Sequence, residues 1–206
     1  MAGDDGRARV DPRVLRTRAL LQDALLGLAQ EKPFSEITVA DVADRATVNR
    51  STFYQHYPDT DTLLADALDQ QAARFGMDAA TTDPDAPPDE PPPTLVQYAA
   101  LISEHRDLYR AALGPHGSLV AVNRLHERFR RLAVESMRLN GTRPAASDIP
   151  EGIFAAGVSG TVISVFTAWL QMDPLPPPED VARWAWLLVT GRTVAAGSDH
   201  TLDAYG

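Results

Sequence analysis

The chain has 206 residues, a formal charge of −9 and no cysteine. That length allows one sizeable core or a small domain joined to a larger one, and the missing cysteines exclude a disulfide framework and a thiolate metal site. The acidic total does not exclude a nucleic-acid partner, because residues 1–58 carry 8 acidic and 8 basic side chains and all of the excess acid lies beyond them.

Residues 1–10, MAGDDGRARV, are polar and lack the apolar run of a signal peptide. They read as a disordered tail on a cytoplasmic protein. Arg7 and Arg9 offer a basic arm for a groove; the plainer reading is a terminus neutralised by Asp4, Asp5 and Asp11. Asp11 and Pro12 are an N-cap and N1 pair, and Leu15, Leu21, Leu25 and Leu28 then recur at helical spacing to about Gln30. Pro33 ends that helix. In ITVADVADRA, Thr38 caps a second helix, Asp41 sits at N3, and Ile37 and Val42 fall at N′ and N4. This is a capping box with a hydrophobic staple. The staple recurs at once with Asn49 as cap, Val48 at N′ and Phe53 at N4. Two short helices, 38–45 and 49–56, are therefore joined by a turn at 46–48. Asp59 caps a fourth helix that carries Leu63, Leu64, Ala67 and Leu68.

The second short helix, in VNRSTFYQHY, has little that a core would want. A short stapled helix, a tight turn and a helix of exposed donors form a helix-turn-helix, whose second helix enters the major groove. Phe53 anchors it. Arg50 can fork onto a guanine edge or a phosphate, Thr52 and Tyr54 offer hydroxyls, and His56 and Tyr57 lie toward the phosphate backbone. The amides after Thr38 suit another phosphate. The alternative is a solvated surface helix, but such helices carry Glu, Lys and Ala, whereas this one carries a single charge, Arg50.

Residues 81–93, TTDPDAPPDEPPP, are acidic and proline-rich and read as an exposed linker loop. Helices follow at about 94–112, 117–139, 146–171 and 178–196, with breaks at GPHG, NGTRP and DPLPPP. No segment alternates long enough for a strand, so the expectation is all-α. Residues 152–170, GIFAAGVSGTVISVFTAWL, hold no charge. The length fits a membrane span, but Gly, Ser and Thr are frequent and the flanks are acidic rather than cationic. A helix apolar all round must be buried all round. Gly157, Gly160, Ser164 and Ala168 form a small-residue ridge, and the next helix carries Trp184, Leu187 and Leu188. The expectation is a two-fold dimer in which both helices pair with their copies.

No catalytic set stands out. His126-Glu127 lacks the second histidine of a zinc-protease helix, and His105, His116 and His200 have no ligand spacing. No metal and no cofactor are expected. Phe75, Tyr98, Phe129, Phe154 and Val158 could line a ligand cavity or be ordinary core, which share one composition.

The run TVADVADRATVNRSTFYQHYPDTDTLL resembles the DNA-binding domain of the tetracycline-repressor (TetR) family of bacterial regulators, over about residues 13–70. The resemblance implies a homodimer on a palindromic operator, with a three-helix helix-turn-helix domain at 11–58. Residues 59–206 would form a helical ligand-binding and dimerisation bundle. It implies a ligand-responsive repressor, and it places Thr38, Arg50, Ser51, Thr52, Tyr54, His56 and Tyr57 at positions that family members use on DNA. Gln55 takes a place often held by a basic or aromatic residue. Thr47 stands where the family usually has glycine, and Thr60 where a lysine commonly opens the fourth helix. The body would take a small neutral or cationic hydrophobic ligand. The rival reading is a helical small-molecule-binding protein or enzyme without DNA activity.

Overall fold

The structure, a computed structural model, describes residues 11–74, 76–77, 87, 90–114, 117–140 and 149–191. Arg7, Arg9, Phe75 and most of the 81–93 loop lie outside the described residues. Among those described there is no strand, only helix and turn.

Helix α1 (Pro12–Ala29) starts where Asp11 accepts from the Arg13 amide at 2.8 Å. Its buried stripe begins at Leu21, so Leu15 keeps the period but stays exposed. A single 3₁₀ turn (Phe34–Glu36) leads to α2 (Val39–Arg45), then α3 (Arg50–His56) and α4 (Thr60–Arg74). The expected helix over 94–112 is two helices, α5 (Pro93–Glu104) and α6 (Arg106–Leu113), parted at His105. Tyr98, Ile102, Tyr109 and Ala112 are buried at helical spacing straight across that break, so periodicity does not report it. The long helices α7 (Leu119–Asn140), α8 (Glu151–Leu170) and α9 (Pro178–Thr190) complete the body. α8 starts at Glu151 rather than 146, because a residue before proline avoids the helical region and Pro150 follows Ile149. α9 ends at Gly191, whose φ of 65° suits a residue without Cβ.

α7 runs along α8 and packs on α4, and α9 lies between α8 and α5. α1 lies on α2 and α4, while α6 touches the 3₁₀ turn. The core is continuous from Leu25, Phe53 and Leu64 to Tyr98, Phe166 and Trp169.

By length and composition α8 could cross a membrane, yet only 39% of its most apolar stretch is buried. Its inner face (Ala155, Ser159, Val162, Phe166) packs into the body, and its outer face is open to solvent.

Candidate nucleic-acid interface

The geometry begins with two caps. Thr38 Oγ1 accepts from the Asp41 amide at 3.2 Å, and the Thr38 amide donates back to Asp41 Oδ2 at 2.8 Å, so the capping box is present. Ile37 and Val42 are both buried beneath it. Asn49 Oδ1 then caps α3, accepting from the Thr52 amide at 2.7 Å and from the Ser51 and Thr52 hydroxyls at 2.6 and 2.9 Å.

Between the caps, the Thr47 amide donates to the Asp44 carbonyl and the Val48 amide to the Ala43 carbonyl. This pair of bonds is a Schellman motif, and Thr47 occupies its left-handed position with φ of 56°. The turn keeps its glycine geometry without glycine. A left-handed β-branched residue costs roughly 1–2 kcal/mol, and glycine gives back about 0.5–1 kcal/mol in chain entropy. Thr47→Gly should therefore stabilise the protein by about 0.5–1 kcal/mol, read from the urea midpoint at unchanged slope. A loss of stability would mean that the Thr47 side chain makes a contact worth more than this strain.

Phe53 is the one buried residue within α3, and it meets Tyr57 at 6.2 Å between ring centroids. That fixes which side of α3 faces out. Arg50, Ser51, Tyr54 and Gln55 are exposed on one face; Thr52 and His56 are half-buried at its edges. Arg50 has no ion pair or hydrogen bond among the described residues, in contrast to Lys32 and Arg45, which pair with Asp41 and Glu31.

One expected phosphate contact is corrected. Tyr57 is only 2% exposed. Its hydroxyl donates to Asp66 Oδ2 at 2.5 Å and accepts from Gln22 Nε2 at 3.3 Å, while the Arg18 guanidinium lies 5.4 Å from its ring centre. Burial and then the Asp66 carboxylate push its pKa upward, so it stays a neutral donor. Thr38 is exposed, but its amide and hydroxyl both donate to Asp41. Lys32 first, then Thr38, hold the Asp41 carboxyl well below the usual carboxylate range. A charged carboxylate thus accompanies the α2 N-terminus that is expected to face a phosphate.

Periodicity did not reveal the polar chain behind Tyr57. Asp66 also accepts from Gln22 at 2.9 Å and from Arg124 at 3.2 Å. Arg124 reaches Asp69 at 3.3 Å, and Asp69 accepts from the Arg128 Nε at 3.2 Å. The chain runs from the end of α3 through α4 to α7. Its one sequence signal is Gln22, a polar residue on the buried side of α1.

In the body, the expected cavity residues Tyr98 and Phe129 are buried with ring centroids 4.9 Å apart. Val158 and Phe154 are half-buried on α8, and Val158 packs on the core. Of the expected interface residues, Gly157, Ser164, Ala168 and Leu188 are exposed, Gly160 and Leu187 are half-buried, and Trp184 is half-buried and packs against the core. A separate open cleft of about 640 Å³ lies between α7 and the start of α8, lined by Arg130, Arg131, Arg138 and the acids Glu127, Glu135 and Glu151. Ser159 and His126 lie 2.9 Å apart, but Ser159 Oγ donates to the His126 carbonyl. Both contacts tie α7 to α8.

Residues 21–67 match the sequence model of the bacterial regulatory proteins of the tetR family. That segment spans the helix-turn-helix, so over residues 21–67 the chain is similar to the DNA-binding domain of TetR-family regulators. An uncharacterised HTH-type transcriptional regulator, YxbF of Bacillus subtilis (strain 168), is 36% identical to the chain over 68 residues, which are 32% of this chain. The chain spans only 18% of that relative's length. A TetR transcriptional regulator from Streptococcus agalactiae 2603V matches with a TM-score of 0.59 at 22% identity, covering 86% of this chain and 95% of that one. Thermus thermophilus FadR, a TetR-family repressor in complex with lauroyl-CoA, matches with a TM-score of 0.57 at 16% identity over 89% and 98%. At these identities the structures speak for a shared fold: the TetR arrangement extends past the matched segment across most of the chain.

Proposed function

We propose that the protein is a cytoplasmic, dimeric, ligand-responsive transcription regulator, acting as a repressor on a palindromic operator. The DNA-binding unit is α1–α3 (11–58), and the remainder senses a small molecule and dimerises. One observation carries this reading: α3 points Arg50, Ser51, Tyr54 and Gln55 outward on a single face, with Arg50 unpaired, while Phe53 and two caps fix the helix. A helix so held spends its exposed polar groups on an external partner, and major-groove base edges supply matching donors and acceptors. The FadR complex supports a ligand in the body, and the polar chain from Tyr57 to Arg128 supplies a mechanical link between the two parts. Such a ligand acts only by preferring one spacing of the two recognition helices.

The test is selection of binding sites from random duplex DNA, followed by Arg50→Ala and Tyr54→Phe on the recovered sequence. If Arg50 forks onto a base, its loss should cost about 1–3 kcal/mol and relax one operator position, with unchanged circular dichroism. If it meets only phosphate, the loss should be uniform across sequences. Failure to enrich any sequence, or unchanged affinity in both variants, would overturn the assignment.

A further inference from the structure

The interior between α4, α5, α6 and α7 holds polar atoms without partners. The Tyr109 hydroxyl is buried, with the residue 1% exposed, and has no hydrogen-bond partner among the described residues. Gln71 is 8% exposed; its Nε2 lies 3.0 Å from His105 Nε2, and its Oε1 has no partner. Turning the amide over would leave its nitrogen bare instead, so one end stays unmet in either orientation. Gln71 reaches α6 at His105, and Tyr109 follows His105 by one helical turn, its amide bonded to the His105 carbonyl at 3.1 Å. Gln71 thus meets the residue that opens α6, and Tyr109 lies one turn further along the same helix. A native interior rarely leaves such groups unmet, because each costs much of its desolvation.

Their surroundings define what would complete them. Burial pushes the Tyr109 phenol upward, and Tyr98, Arg128 and Asp69 lie within its electrostatic range. It therefore stays a neutral hydroxyl that can donate and accept. Arg128 is no free anion receptor: it donates to the Asp69 carboxylate, the Asp69 carbonyl and the Met77 carbonyl. Arg124 and Arg128 face Asp66 and Asp69, so the adjoining charge balances. Arg106 Nε, beside His105, is also buried without a hydrogen bond, but its guanidinium already faces the Asp107 carboxylate at 3.8 Å, so a charged guest would still bear most of its desolvation cost. Tyr98, Phe129, Phe166 and Trp169 form a buried row of rings with successive centroids 4.9, 6.0 and 6.2 Å apart, an apolar aromatic environment.

We infer that Tyr109 and Gln71 are the polar end of the sensor site, and that its ligand is an uncharged aromatic molecule carrying both a hydrogen-bond donor and an acceptor. This rests on the ligand-responsive reading above and narrows it, removing the cationic class. The acceptor takes the Tyr109 proton, the donor meets Gln71, and the ring lies against Tyr98 and Phe129.

The test uses probes of one shape: benzamide (donor and acceptor), acetophenone (acceptor only), benzoate (anion) and benzamidine (cation). Ligand-observed NMR on the full-length protein should show benzamide binding at least tenfold tighter than the other three. Tyr109→Phe should remove that preference while raising the ligand-free melting temperature by about 2–4 °C, because it deletes an unmet buried hydroxyl. Benzoate or benzamidine as the best binder, or no binding by benzamide, would overturn the ligand class. A lowered melting temperature in Tyr109→Phe would show a hydroxyl satisfied within the fold and would overturn the site. DNA binding is scored separately on the ligand-free variant. If neither wild type nor variant enriches any duplex, the regulator reading fails while the binding result still stands.

Discussion

Phe53→Ala should cost about 3–5 kcal/mol of folding stability, the range for emptying a fully buried phenylalanine site. The residue is 0% exposed and is the only side chain within the seven residues of α3 that is buried. An isolated helix of that length is not stable in water, so α3 persists because its one apolar anchor is held. Packing partners cannot easily close the gap: Tyr57 is fixed by its bond to Asp66, and Tyr54 meets Phe53 edge-on at 5.5 Å. Operator binding should fall with stability, although Phe53 faces away from the solvent side of the helix. Urea denaturation followed by far-UV circular dichroism measures the first effect and a gel-shift titration the second. A cost below about 1 kcal/mol would mean that α3 is held by its caps and turn instead of its core contact.

Set beside Arg50→Ala, this separates two duties within one helix. Phe53 fixes where α3 lies, and its loss changes stability. Arg50 is exposed and unpaired, so its loss changes affinity and leaves stability nearly alone. Tyr57 belongs with Phe53. Its hydroxyl ends the chain through Asp66 and Arg124, which ties the exit of α3 to α4 and α7.

The helix-turn-helix was legible because its signals are local. Caps, staples and the 3.6-residue period depend on neighbours within four positions, and each of those features appears in place. Tyr57 was misplaced for the same reason. Sequence places it at the end of an exposed helix, but Gln22 and Asp66, 35 and 9 residues away, draw it inside. The break at His105 was invisible because the apolar phase continues through it, and the contact His105 makes there, to Gln71, lies 34 residues earlier. Buried polar groups elude pattern reading generally: Tyr109 and Gln71 sit on apolar stripes, and only their missing partners mark them.

A charge on the outer face of α8 should abolish the proposed dimer. Ile153 is 65% and Leu188 is 64% exposed on adjoining helices, with the small residues Gly157, Gly160, Ser164 and Ala168 between them. A Cβ added at Gly157 or Gly160 meets nothing within 4 Å in the single chain. A side chain at Gly160 therefore starts into open space in the single chain, and replacing a mid-helix glycine even favours the helix by up to about 1 kcal/mol. In a two-fold dimer the same substitution places two like charges in an apolar seam, where each unpaired charge costs several kcal/mol. Wild type should sediment as a dimer at micromolar concentration without detergent, and Gly160→Arg as a folded monomer of equal helix content. Operator affinity should fall roughly 10²–10⁴-fold, because the second half-site contact is no longer intramolecular. A wild-type monomer would remove the symmetry that a palindrome requires. A wild type that stays in solution only with detergent would instead assign the exposed face of α8 to lipid.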